Sequence, residues 1–237
     1  MYGHRLIAVL FLTFQCVAAQ DKAAEAPSQQ LLEKQLDVML RQADQARASG
    51  DHALAAKGLE DALTKVRAQP LLAGREDNIL MQLASAYLAG QRPAEAVRVY
   101  AALLELRKPD CRPGTIAIES CADARYGMGT AQMYAGDFQG ALKSLTASIA
   151  NFGSLAALDG PEDYRMIKIK QQADAQSLAA AAWFRTGQKD KAIAAFRKAI
   201  EQFGIVERNA KIPESIRQGA RDSARDAKTS LDLLEKK

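Results

Sequence analysis

ADARYGMGTAQMYAGDFQGALKSLTASIANFG, residues 122–153, lies without a gap over ADAQSLAAAAWFRTGQKDKAIAAFRKAIEQFG, residues 173–204, at a shift of 51 (Ala122 to Ala173). Ala131 falls on Ala182, Gly136 on Gly187, Ala141 on Ala192, Ile149 on Ile200, and Phe152-Gly153 on Phe203-Gly204. These matches keep one register and sit where helices pack or turn. The segments therefore read as two copies of one unit.

The same small-then-bulky pair recurs along the rest of the chain. Ala55 precedes Leu59, Ala96 precedes Tyr100, Ala141 precedes Leu145 and Ala192 precedes Phe196, each just after a turn carrying Gly50, Gly90, Gly136 or Gly187. A small residue lets two helices approach, and a bulky one a turn later fills the next gap. No hairpin built this way buries its apolar face alone, so the hairpins must stack. A further shift of 52 sets Pro161, Glu162, Arg165, Asp174 and Ala175 on Pro213, Glu214, Arg217, Asp226 and Ala227. Nothing follows Lys237 to supply a second helix for that unit. Residues 212–237 thus read as a lone terminal helix, with Pro213 suited to its start, and Arg221, Arg225, Lys228, Asp232 and Glu235 give it a wet outer face.

At this point the residues resemble the tetratricopeptide repeat family, whose pattern runs Trp-x2-Leu-Gly-x2-Tyr, then Ala-x3-Phe, then Pro. The second unit matches it as Leu80-x2-Leu83-Ala84-x2-Tyr87, Ala96-x3-Tyr100 and Pro109. The fourth offers Trp183 and Ala192-x3-Phe196, the third Met128-Gly129 and Ala141-x3-Leu145, and the first Ala43, Ala46 and Ala55-x3-Leu59. Spacing departs from the family: the alanines opening the second helices lie 41, 45 and 51 residues apart (55 to 96, 96 to 141, 141 to 192), against a period of about 34. The extra length must lie between repeats or lengthen the helices.

The resulting expectation is an all-α, right-handed superhelical array of about four helix-turn-helix repeats over 30–211, closed by a capping helix at 212–237. Helices are expected at 30–48, 52–67, 75–89, 93–107, 116–135, 138–151, from Pro161 to Thr186, and at 189–202. Gly153 is read as a C-terminal glycine, with connections at 108–115, 154–160 and 204–211.

Residues 1–19 read as a signal peptide: one arginine (Arg5), an apolar run from Leu6 to Phe14, and Val17-Ala18-Ala19 before the cleavage point. The run is too short to span a bilayer stably, so no lasting membrane insertion is expected after cleavage. Gln15 stands before Cys16 where a lipid-anchor signal wants a small residue. Residues 20–29 form a small, polar leader. The expected location is outside the cytoplasm, periplasmic or secreted.

Loss of the signal leaves two cysteines, Cys111 and Cys121, ten residues apart across Arg112-Pro113-Gly114. In an oxidising compartment a disulfide is the natural expectation, contributing about 2–4 kcal/mol in the chain-entropy picture. The alternative is two separate thiols, Cys121 buried and Cys111 exposed. Too few ligands remain for a zinc site. No cofactor is expected either.

An enzyme would need a histidine, or carboxylates forced together, in a pocket. The mature chain keeps only His52, in a turn beside Asp51 and solvent-facing by pattern, and phosphate-loop, His-Glu-x-x-His and Gly-x-Ser-x-Gly motifs are missing. Catalysis is not expected. The full chain carries 32 Lys and Arg against 28 Asp and Glu, a surplus too small to argue for nucleic acid.

The resemblance implies a protein or peptide partner held by the first helices of successive repeats. Carried across, those positions are Asn78, Met81, Ser85 and Leu88, then Tyr126, Thr130 and Met133, then Ser177, Ala181 and Phe184. They offer apolar and amide-type contacts with little charge. Asp123 and Asp174 occupy equivalent places in the two copied units, either as groove residues or as surface acids that recur through duplication alone. Two functions fit: an exported scaffold that assembles or organises an envelope complex, or a chaperone-like binder of unfolded or lipophilic clients. Oligomeric state is not legible.

Overall fold

A computed structural model describes residues 29–112 and 116–236. The expected signal peptide, most of the leader, and residues 113–115 of the connection at 108–115 lie outside the described residues. Nine α-helices and one 3-10 segment occur among the described residues, and no strand. Contacts divide the chain into two compact units, Met1–Ile79 and Leu80–Lys237.

The described part of the first unit holds α1 (29–48), α2 (His52–Ala68), a 3-10 turn (Pro70–Arg75) and the opening of α3 (Glu76–Ala89). Asp51 caps α2, its carboxylate accepting from Leu54 N at 2.9 Å. Leu36, Ala55, Ala62, Val66, Leu72 and Ile79 are buried. The Arg75 guanidinium donates to both Glu33 and Asp37, each at 2.9 Å, and so ties the 3-10 turn to α1.

The second unit continues α3 and adds α4 (Pro93–Leu106), α5 (Ile118–Tyr134), α6 (Phe138–Ala156), α7 (Glu162–Arg185), α8 (Lys189–Glu207) and α9 (Glu214–Glu235). Each helix from α4 to α9 packs on the next; α5 also touches α7, and α7 touches α9. This is a helical solenoid of stacked hairpins. All four small-and-bulky pairs named above are buried, from Ala55 and Leu59 to Ala192 and Phe196. Glycines let two of the bulky members in. A Cβ on Gly127 would stand 2.3 Å from the Tyr100 ring, and one on Gly129 would stand 2.6 Å from Leu145 Cγ.

The four hairpin turns are superimposable in their hydrogen bonds. Asp51 N donates to Ala46 O, Arg92 N to Tyr87 O, Asp137 N to Gln132 O and Gln188 N to Trp183 O, while the preceding residue donates three positions back. That pair of bonds is a Schellman ending, which needs a left-handed residue just past the helix. Gly50, Gly136 and Gly187 supply it with φ of 82°, 78° and 78°. In the second turn the residue is Gln91 (φ 57°) and not Gly90, correcting the glycine that the spacing picks out.

Two helix ends also differ from expectation. α6 runs to Ala156 and α8 to Glu207, straight through Gly153 and Gly204. Gly153 serves close approach: a Cβ there would meet Gln172 Nε2 at 2.5 Å. That amide donates to Ile149 O at 3.1 Å, and Gln172 Oε1 accepts from Gln202 Nε2 at 2.6 Å. One side chain of α7 thereby stitches α6 to α8. The surplus repeat length is spent on helices, α6 and α8 having 19 residues each and α7 having 24.

Candidate partner-binding groove

α5, α7 and α9 are the first helices of successive repeats, and their inner sides meet around two adjoining hollows. The first, about 280 Å³, is lined by Tyr126, Asp174, Ser177, Leu178 and Ala181 together with Ser223, Asp226 and Ser230 from α9. The second, about 350 Å³, is lined by Met133, Ala181, Phe184, Leu233 and Leu234. Phe196 of α8 floors both. Phe184 and Leu233 are 40% and 59% exposed, large apolar side chains left open to water at the mouth of one hollow.

Five of the ten positions taken from the family pattern therefore converge: Tyr126, Met133, Ser177, Ala181 and Phe184. Thr130 is nearby on α5 with its hydroxyl donating back to Tyr126 O at 2.9 Å. Leu88 lines a separate recess with Gln91, Pro93 and Tyr134. Met81 and Ser85 line none of these spaces, and Asn78 is an exposed residue of the first unit. The α9 contribution is absent from that list of ten. Its signal was present in the shift of 52, which makes α9 a first helix and Asp226 the counterpart of Asp174.

α5 and α7 are also joined by a polar cluster that the sequence pattern did not flag. Lys168 is only 3% exposed. Its ammonium pairs with Glu119, donates to Gln171 Oε1 at 2.8 Å, and lies over the Tyr164 ring. Tyr164 OH donates to the other Glu119 oxygen at 3.0 Å. Burial, then the bond to Glu119, push the Tyr164 phenol up to about 12. Burial also raises the Asp123 carboxyl above the usual range, with Lys168 opposing. The Tyr100 phenol is pushed to about 12 by burial and then by Asp123. Lys168, Glu119, Tyr164 and Gln171 satisfy one another, and the cluster fastens α5 to α7.

His52 is the first residue of α2 and is half-buried, not solvent-facing as its neighbours suggest. Cys111 and Cys121 are bonded in the structure, with Cα atoms 5.6 Å apart. Cys121 is fully buried against Ile118, Phe152 and Leu155, so the bridge anchors the chain between α4 and α5 to a core. Among the described residues no helix is long and apolar enough to cross a membrane.

The tetratricopeptide repeat profile matches residues 79–107 and 174–204. Similar solved structures include a MamA protein, 19% identical, covering 85% of this chain and 94% of that one at a TM-score of 0.50. A putative kinesin light chain of Podosopora anserina with nearly identical TPR-like repeats is 16% identical over 85% and 90%, at 0.58. BtubC (BKLC) of P. vanneervenii is 16% identical over 91% and 87%, at 0.52. No curated protein matches the chain. Residues 79–107 and 174–204 thus carry the tetratricopeptide repeat pattern, and the fold around them is like that of these solved structures.

Proposed function

We propose that this protein is an exported scaffold that holds a segment of a partner protein against α5, α7 and α9, in the assembly or organisation of an envelope complex. The observation that carries the binding site is the pair of open apolar side chains, Phe184 and Leu233, over a recess already floored by Phe196. Exposed groups of this size cost free energy in water, and a partner covering both would recover about 1–3 kcal/mol from each. Export rests on the signal-like residues 1–19 and fits the Cys111–Cys121 bond.

The test is a photocrosslinking amino acid placed at Phe184, or for comparison at exposed Lys143 on α6, in the native host. One discrete adduct from position 184 and none from 143 is the expected pattern. Equal labelling from both positions refutes the site, and a broad smear of unfolded clients at 184 replaces the scaffold with a chaperone-like binder. N-terminal sequencing of the extracted chain checks export separately, the expected first residue being Gln20.

A further inference from the structure

The two hollows share a wall and are chemically unlike. One is mixed: Asp174, Asp226, Ser177, Ser223 and Ser230 line it together with Tyr126 and apolar residues, the Ser230 hydroxyl donating to Asp226 O at 3.0 Å. The other is lined mainly by carbon from Met133, Phe184, Leu233 and Leu234. Ala181, Phe196 and Ser230 belong to both, so one occupant can enter the two together.

The acids are unequally committed. Asp174 accepts from Lys170 Nζ at 2.9 Å, one turn back on its own helix. Asp226 is exposed, and among the described residues it forms no ion pair. The Ser177 hydroxyl oxygen is closed off from solvent and has no hydrogen-bond partner. Tyr126 adds an aromatic face, its phenol pKa raised by burial and then by Asp174. Among the described residues, the cation lining the apolar hollow is Arg185, which lies over the Phe138 ring at 4.8 Å, so part of its charge is already engaged.

Charge complementarity then selects the occupant. An acidic segment would meet Asp226 with like charge, and an uncharged one would leave the carboxylates facing carbon. A lysine or arginine satisfies them and stacks favourably beside Tyr126. From Asp226 to Leu233 is seven residues along α9, about 10 Å at helical rise. Two turns of a partner helix, or three residues of extended chain, cover that span.

Resting on the groove reading above, we infer that the partner segment presents a lysine or arginine next to a bulky apolar side chain. The cation meets Asp226 and Asp174 while the apolar group fills the space beside Phe184 and Leu233.

The experiment selects random peptides of about four helical turns, displayed on phage, against the full chain, and measures the enriched peptides by fluorescence anisotropy. Enriched sequences should pair Lys or Arg with Leu, Phe or Trp. Asp226→Asn should weaken them about three- to fivefold and Asp226→Lys about tenfold or more, with the difference shrinking at high salt. Phe184→Ala should weaken every binder. Both positions are exposed, so the variants keep the fold, which circular dichroism verifies. Enrichment of acidic or uncharged peptides that still depend on Phe184 overturns the cation and leaves the groove standing. Peptides indifferent to Phe184 as well as to Asp226, or no enrichment, overturn the groove itself.

Discussion

Gln91 carries a side chain where the three sister turns have none. Its φ of 57° places Cβ near its own carbonyl, a strain that glycine at positions 50, 136 and 187 escapes. Glycine also loses more chain entropy on folding, so the two effects partly cancel. Gln91→Gly should still stabilise the protein by about 0.5–1 kcal/mol, read as a higher Tm, because the turn bonds from Gln91 N and Arg92 N remain. A lower Tm would mean that the side chain makes a compensating contact. Asp123 poses the opposite problem. Its raised pKa means that the native state disfavours the charged form. Stability from this group is therefore greatest below the ordinary carboxylate pKa and falls as pH rises through the native one. Asp123→Asn should raise Tm at pH 7, and the gain should shrink on acidification; a gain that grows in acid contradicts the assignment. The turn glycines were legible because only glycine is at ease there. Gln91 was not, since Gly90 beside it drew the reading one residue early. Buried Lys168 left no trace at all, its segment Lys168-Ile169-Lys170-Gln171 carrying no motif within the helix expected from Pro161 to Thr186.

Between elements, the packing of α5 on α6 depends on a missing methyl. Gly129 faces Leu145, and both are buried without room to spare. Alanine in a helix gains about 1 kcal/mol over glycine, yet its Cβ would need Leu145 to leave a space that offers no exit. Overpacking of this kind costs about 1–3 kcal/mol, so Gly129→Ala should lower stability in denaturant unfolding. Gly58 provides the control. A Cβ there reaches Ala43 Cβ at 3.4 Å, close to ordinary contact, and Gly58→Ala should be neutral or slightly stabilising. Finding the two variants alike would show that propensity, not packing, governs these helices. The same argument explains which helix ends were readable. Helix starts follow from turns and the Asp51 and Asp137 caps, all local. The ends of α6 and α8 were misplaced because glycine has two uses, stopping a helix or admitting a neighbour. Only the position of Gln172 on another helix distinguishes them at Gly153.

For the whole chain, a stack of repeats has no central core to protect its ends, so the last hairpin depends on whatever covers it. α9 does this for α7 and α8. Ile212, Ala220, Ala227, Leu231 and Leu234 join one buried cluster with Met166, Phe203 and Val206, while the opposite side of α9 carries Arg225, Lys228 and Asp232 to solvent. A capping helix was legible from the half-copy after Pro213 and from its charge pattern. Its second role, as one wall of both hollows, was not, because contacts between helices far apart in sequence have no periodicity of their own. Ending the chain after Lys211 tests both roles together. The cut removes the burial of Ile212, Leu231 and Leu234, about 1.5–3 kcal/mol each, on the order of the stability of a small domain, and uncovers Met166, Phe203 and Val206. The truncated protein should bind a hydrophobic dye, melt less cooperatively and fail to retain any peptide selected through Phe184. Retention of those peptides at full affinity, with an unchanged melt, would show that α9 neither closes the stack nor builds the groove.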